Sequence, residues 1–149
     1  MNNMPEQDSY LTNVVGNYRF RVEIENLLVA SFSEVSGLVV ETELEQYNEG
    51  GVNEFAHQLP MRTKHVPIVL KHGLTDSYEL WDWYDDVVKG KIVRRSGSII
   101  LFDEQFDEFR RWTFNDAFPS KWVGPELNAS VSEVAIEQIE LVHNGFKFL

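Results

Sequence analysis

Four histidines and a large stock of carboxylates are the residues best suited to chemistry in this chain. His57, His65, His72 and His143 invite a metal-binding or proton-transfer reading. No two of them stand in a His-x-x-x-His or His-Glu-x-x-His spacing, the arrangements that put two ligands on one helix face. Cysteine is absent, which removes disulfides, thiolate metal sites, iron–sulfur clusters and a thiol nucleophile together. Asp82 and Asp86 have the spacing for paired acid–base work on a helix, but solvation of a helix surface accounts for them more simply. No Gly-x-Ser-x-Gly, phosphate loop or dinucleotide fingerprint occurs, and Gly50-Gly51 and Gly97 read as turn glycines. Asn128-Ala129-Ser130 matches a glycosylation triplet short enough to arise by chance. We therefore assign no catalytic, cofactor or metal residue.

The carboxylates are more telling as a surface. Glu41, Glu43 and Glu45 alternate with Val40, Thr42, Leu44 and Gln46. On a strand, same-face neighbours stand about 6.6 Å apart, so the three acids form a ladder that repels itself unless that face is wet. The chain as a whole leans the same way. Against 24 Asp and Glu it has 13 Lys and Arg, a formal charge of −11 over 149 residues. Nucleic-acid modules carry a basic stripe; here the one basic cluster is Lys89, Lys91, Arg94 and Arg95, at the end of a predicted helix where cations suit the dipole. Stable nucleic-acid binding is not expected. Apolar runs such as Ile99–Phe102 are too short for a bilayer, and Met1–Ser9 has no cationic side chain before Arg19. We expect a soluble protein made in the cytosol without a signal peptide, and no membrane insertion.

The elements that must position these groups follow from periodicity. The length suits one domain, which at this size removes about 70% of its unfolded-chain surface from water. Residues 1–16 read as a loose arm and 17–149 as the domain. Tyr18 to Glu25 alternates strictly, the mark of a half-buried strand, and Leu27–Phe32 reads as the returning strand of a hairpin. Val39–Tyr47 is a strand with one solvated side. Residues 48–64 form a long connection, with a short strand at Phe55–Leu59 before Pro60; such loops are more often functional than idle. Val66–Lys71 is a further strand.

One helix is predicted from about Asp76 to Lys89, with Asp76 and Glu79 at capping-box spacing and Gly90 as its stop. Its apolar stripe is Leu80, Tyr84, Val87 and Val88 with Trp81 nearby; Asp82, Asp85 and Asp86 face outward. Trp81 and Trp83, two apart, cannot both point inward. Ser98–Phe102 and Glu108–Phe114 flank Asp103–Asp107 as an antiparallel hairpin. Pro119 and Gly124-Pro125 break up an irregular stretch before Glu133–His143, which reads as a strand with some helical spacing. Strands dominate, and their edges need cover; closing several subunits into a ring would supply it.

In this order the residues resemble the tail tube proteins of contractile-tailed phages, and especially the inner-tube proteins of extracellular contractile injection particles. The resemblance runs from about Tyr18 to Phe148. It rests on Phe20–Ile24, Phe32–Leu38, Tyr47–Asn53 with Leu59-Pro60, and Leu70–Asp76. It continues through Leu80–Trp83, Gly90-Lys91 with Arg94-Arg95, Trp112 with Asn115–Pro119, Lys121-Trp122, and Leu127–Ser130 leading into Glu133–Glu137. Departures are small: Asn144 follows His143 where the family usually has an acid, and Met61 stands where glycine is common.

The resemblance implies a mainly β protein, a tail-tube-type β-sandwich or split barrel with one flanking helix, about 76–89, forming a continuous barrel on hexamerisation. Rings would stack into a hollow inner tube, a structural conduit rather than an enzyme, driven through a target envelope when a sheath contracts. Implied partners are further copies of the chain, a sheath, baseplate, spike and tube-initiator proteins, and a cargo of DNA or protein effector. The setting would be a phage tail or a released extracellular particle. On this frame Glu41, Glu43 and Glu45 are the candidate lumen residues. Asn48, Glu49, Gly50, Gly51, Val52, Asn53 and Glu54 are the candidate ring-stacking loop, with the N-terminal arm and 145–149 as further contacts. Asp82, Trp83, Asp85 and Asp86 are the candidate sheath-facing set. A tube-initiating ring of the same machine and, in a different class, a monomeric β-barrel that binds a small ligand are the alternatives.

Overall fold

Alternation decides the first strand. Phe20, Val22 and Ile24 turn inward and Arg21 and Glu23 outward in β1 (Phe20–Ile24), which pairs antiparallel with β6 (Arg95–Phe102). The computed structural model describes residues 14–28, 31–47 and 57–148. Most of the arm expected over 1–16, residues 1–13, lies outside them.

Between β1 and β6 come β2 (Glu34–Ser36), β3 (Val40–Tyr47), β4 (His57–His65), β5 (Ile68–Gly73) and the helix α1 (Glu79–Val88). After β6 follow β7 (Glu108–Val123), β8 (Ile136–Val142) and β9 (Phe146–Phe148). Seven strands make one sheet in the order β1-β6-β7-β8-β5-β2, with β9 also paired to β7, while β3 and β4 form a separate two-stranded sheet. The protein is mainly β with a single described helix, as the sequence implied.

The expected hairpin around Asp103–Asp107 is present as β6 and β7. Asp103 Oδ1 accepts from the N–H groups of Gln105 and Asp107 (2.9 and 3.0 Å), which fixes its turn. β7 is far longer than expected and contains Pro119. It pairs β6 through Ala117 and then β8 from Phe118. Asp116 in the left-handed region (φ 52°) and register shifts on either side turn the strand from one partner to the next. Proline is tolerated beside such an irregularity, and so the expected break at 119 is a bend.

Three further expectations are corrected. The returning strand expected over Leu27–Phe32 is not formed by its described residues: Leu27 makes one bridge to Ile24, Leu28, Ser31 and Phe32 are in no strand, and β2 pairs with β5 instead. Half of the connection expected over 48–64 is β4, paired residue by residue with β3; Pro60 sits opposite Leu44. The helix begins at Glu79, not Asp76. Its N-cap is Tyr78 without a side-chain cap, and the Ser77 hydroxyl accepts from the Glu79 N–H (3.3 Å).

Gly90 ends the helix as expected. It lies at φ +86°, with its N–H donating to Val87 and that of Lys91 to Asp86, a Schellman pair. The core gathers Ile24, Ile68, Leu70, Ile99, Phe114, Ile139 and Leu141 from the sheet with Leu80 and Trp83 from α1. Each fully buried side chain of this size contributes roughly 1.5–3 kcal/mol. Gly37, at φ +90°, allows the chain entering β3 to pass under β5: a Cβ there would stand 2.1 Å from the Pro67 carbonyl oxygen.

Candidate functional site

The β3–β4 hairpin is the part of the molecule that its own fold leaves uncovered. Every residue from Val40 to Gln46 and from His57 to Lys64 is exposed, on both faces. The sequence implied one wet side; the protomer has two, because nothing among the described residues packs across the apolar one. On that side Val40 and Leu44 are about half exposed; Leu59 and Met61 are equally exposed, but opposite Glu45 and Glu43 on the other side. Apolar side chains left bare on both faces mark an interaction surface, and unpaired strand edges on the same hairpin are templates for further strands.

Register decides which charges share a face. Lys64 stands opposite Glu41 and Leu59 opposite Glu45; between Thr42 and Leu44 the register shifts, so that Met61 and Arg62 together oppose Glu43. Arg62 Nε lies 3.8 Å from Glu43 Oε2, with both side chains well exposed. The acidic ladder is therefore not bare. Three carboxylates face two cations on one side of the hairpin, a net charge of −1 instead of −3. Sequence reasoning missed Lys64 and Arg62 because a bulge must be known before opposite residues can be paired. The loop 48–54 lies outside the described residues.

The helix presents the second expected surface, with one correction. Trp83 is buried to 2% exposure, whereas Trp81 is 38% exposed. Trp83 Nε1 donates to the Val93 carbonyl (2.7 Å) and the Arg95 guanidinium lies over its ring. Trp83 is thus a core residue and cannot face a partner. The signal was available: Leu80, Trp83 and Val87 fall at i, i+3 and i+7, one stripe of a helix. Asp82 is exposed, and Asp85 and Asp86 are half-buried. Asp85 accepts from Lys89 Nζ at 2.7 Å, a contact that raises the lysine's pKa. Trp81 packs edge-on against Trp122 (centroids 4.9 Å apart). Both line an open cleft of about 390 Å³ with Tyr78 and Leu74.

Beneath that cleft lies a buried polar group that sequence reasoning also missed. Glu137 Oε1 is 2.5 Å from His72 Nε2, and Glu137 Oε2 accepts from Trp122 Nε1 at 2.9 Å. His72 and Glu137 are both nearly inaccessible. They meet because Glu137 on β8 is paired directly with His72 on β5, a register no local pattern reveals. The arrangement ties β5, β7 and β8 together beneath the cleft, which Glu137 also lines. Near the tip of the β6–β7 turn, Arg111 bonds Glu108 at 2.6 Å and holds its carboxyl below the usual range. Among the described residues no group of three His, Asp or Glu side chains could hold a metal ion, and no helix is long and apolar enough to cross a membrane.

The described structure is thus a covered sheet body bearing a hairpin bare on both faces, the features of an assembly subunit. Over residues 16–147 the chain matches the family described as T4-like virus tail tube protein gp19, and it belongs to that family. No curated protein sequence matches it. Among solved structures it is similar to a chain of the anti-feeding prophage (AFP) baseplate: TM-score 0.84, 26% identity, 93% of this chain and 97% of that one covered. A chain of the extended PVC sheath–tube complex, an extracellular contractile injection system, gives 0.83 at 21% identity, with 98% of each chain covered. Hcp1 from Flavobacterium johnsoniae gives 0.55 at 15%, covering 88% and 94%; these two likenesses speak for the fold. The protein is a structural subunit of a tail-type tube.

Proposed function

We propose that the chain forms the hollow inner tube of a contractile injection machine, as six-membered rings that stack. The observation that carries this reading is the β3–β4 hairpin, whose exposed edges and bare apolar side chains suit pairing with the same hairpin of neighbouring copies. A head-to-tail contact that closes gives a ring without free edges. In that ring the face bearing Glu41, Glu43 and Glu45 lines the lumen. With Lys64 and Arg62 beside them the bore is weakly acidic from this face, enough to discourage sticking by an anionic cargo. The segment 48–54 at the hairpin tip, the arm 1–16 and residues 145–149 serve contacts between rings.

Outside the tube, the helix face with Asp82, Asp85 and Asp86, together with Trp81 in place of Trp83, meets the sheath. The extended PVC complex named above contains a sheath and a tube, which supports a sheath as partner here. Baseplate and spike proteins, an initiator, and a DNA or protein cargo complete the set, and the chain has no catalytic role. A second reading, an initiating ring at the baseplate, draws support from the likeness to a chain of a baseplate structure; copy number in purified particles separates the two. Electron microscopy of the purified chain across concentration and salt tests the main reading. Hollow six-fold rings or tubes of one width are expected. A chain that stays monomeric even with baseplate proteins supplied would overturn it.

A further inference from the structure

His143 lies where the hairpin joins the body. Its Nε2 is 3.1 Å from the Val66 carbonyl oxygen, and the Gly145 backbone N–H donates to its Nδ1 at 3.1 Å. A carbonyl can only accept and a backbone N–H can only donate. Together the two contacts require a neutral ring with its proton on Nε2. Val66 follows β4 directly, and its own N–H donates to the carbonyl of Val39, the residue before β3, at 3.4 Å. One imidazole therefore holds the point at which both strands of the hairpin leave the body.

The surroundings of the ring are apolar or cationic on protonation. From β4 comes His65, with ring centroids 5.4 Å apart; its Nδ1 is buried without a hydrogen-bond partner. From β9 comes Phe146 at 4.5 Å and from β7 Phe114 at 6.5 Å. From the link between β4 and β5 comes the Val66 carbonyl. Asp116, in the β7 bend, accepts from Asn144 Nδ2 (3.4 Å) instead. Gly145 sits at φ +124°, and a Cβ there would come within 3.1 Å of the His65 ring, so the chain passes close to His65 at this point. Burial holds the His143 pKa below the usual histidine value, more than the Val66 carbonyl raises it, and His65 adds to the lowering.

We propose that His143 is an acid-released latch for the β3–β4 hairpin. Protonation puts a second N–H on Nδ1, head-on to the Gly145 N–H. One of the two latch bonds is lost, and a cation appears beside His65. Because the folded-state pKa lies below the ordinary value of 6.5, the latch is fully engaged above that value. It is lost as pH falls through the folded pKa. The root of the hairpin then opens while the sheet body stays closed. The consequence for ring assembly rests on the function proposed above, but the latch itself is a property of the single chain and is tested there.

The experiment is amide hydrogen exchange on the full chain at pH 7.5 and 5.0, corrected for intrinsic exchange. Protection at Val39, Val66 and Gly145 is expected to fall by up to about tenfold per pH unit within the window between folded and unfolded pKa. Leu70 and Ile139 in the body are expected to keep theirs. His143→Gln, which cannot titrate, is expected to flatten the dependence. Should that variant not fold, ring nitrogen shifts of the unaltered chain read the same point: an Nε2–H neutral tautomer at pH 7.5, titrating below 6.5. An Nδ1–H tautomer, acid-independent protection at the three amides, an equal loss in the body, or an undiminished loss in His143→Gln would each overturn the latch.

Discussion

The sheet body and the β3–β4 hairpin are both antiparallel β-structure, yet they are stabilised from different places. In the body, alternate side chains of β5 and β8 are buried: Ile68, Leu70 and His72 on one strand, Glu137, Ile139 and Leu141 on the other. The hairpin strands are as long or longer, but their side chains are exposed from Val40 to Gln46 and from His57 to Lys64. Isolated two-stranded sheets are marginal in water. The body therefore accounts for the fold of the protomer, and on the function proposed above the hairpin is stabilised by what it joins. Strand content alone would not tell the two apart; the cover over their faces does.

Substitutions that probe the body should act on stability alone, in proportion to burial. Trp83→Ala, which empties the space between α1 and the sheet and frees the Val93 carbonyl, is expected to lower unfolding free energy by about 3–5 kcal/mol in denaturant titrations. Glu137→Ala leaves His72 and Trp122 without their shared acceptor in a closed site, and about 2–3 kcal/mol is expected by the same measurement. Leu44→Asp on the hairpin reverses the pattern. Its effect on protomer stability should stay within about 0.5 kcal/mol, as for an exposed position, while rings and tubes disappear from electron micrographs. A large loss of protomer stability in Leu44→Asp would erase the distinction between the two regions.

Legibility in the sequence followed the same division. Local signals carried β1, where three apolar residues alternate with charges, the β6–β7 hairpin around its Asp-rich turn, and the Gly90 stop. The pairing of β2 with β5 was hidden because only three residues form it, after a stretch that mimics a hairpin return. β4 was hidden by Pro60, which argues against a strand interior and is tolerated here on a two-stranded sheet. The neutralising partners of the acidic ladder were hidden by the bulge at Met61-Arg62, since a one-residue shift moves side chains to the other face. Trp83 was misplaced by giving the stripe to Tyr84 and Trp81. His72 and Glu137 are 65 residues apart, and only the sheet brings them together. The family resemblance, carried by many short blocks, reached further than any of these local patterns because it reports the whole topology at once.

The central claim is that the hairpin is completed by neighbouring copies and the body is not. Hydrogen exchange on the assembled tube, compared with the free chain at the same pH, tests this most directly. The account predicts a large gain in protection across Val40–Tyr47 and His57–His65, with Leu70, Phe114, Ile139 and Leu141 already protected and little changed. Unchanged exchange in the hairpin, with new protection confined to β1 or β2 at the edges of the large sheet, would contradict it.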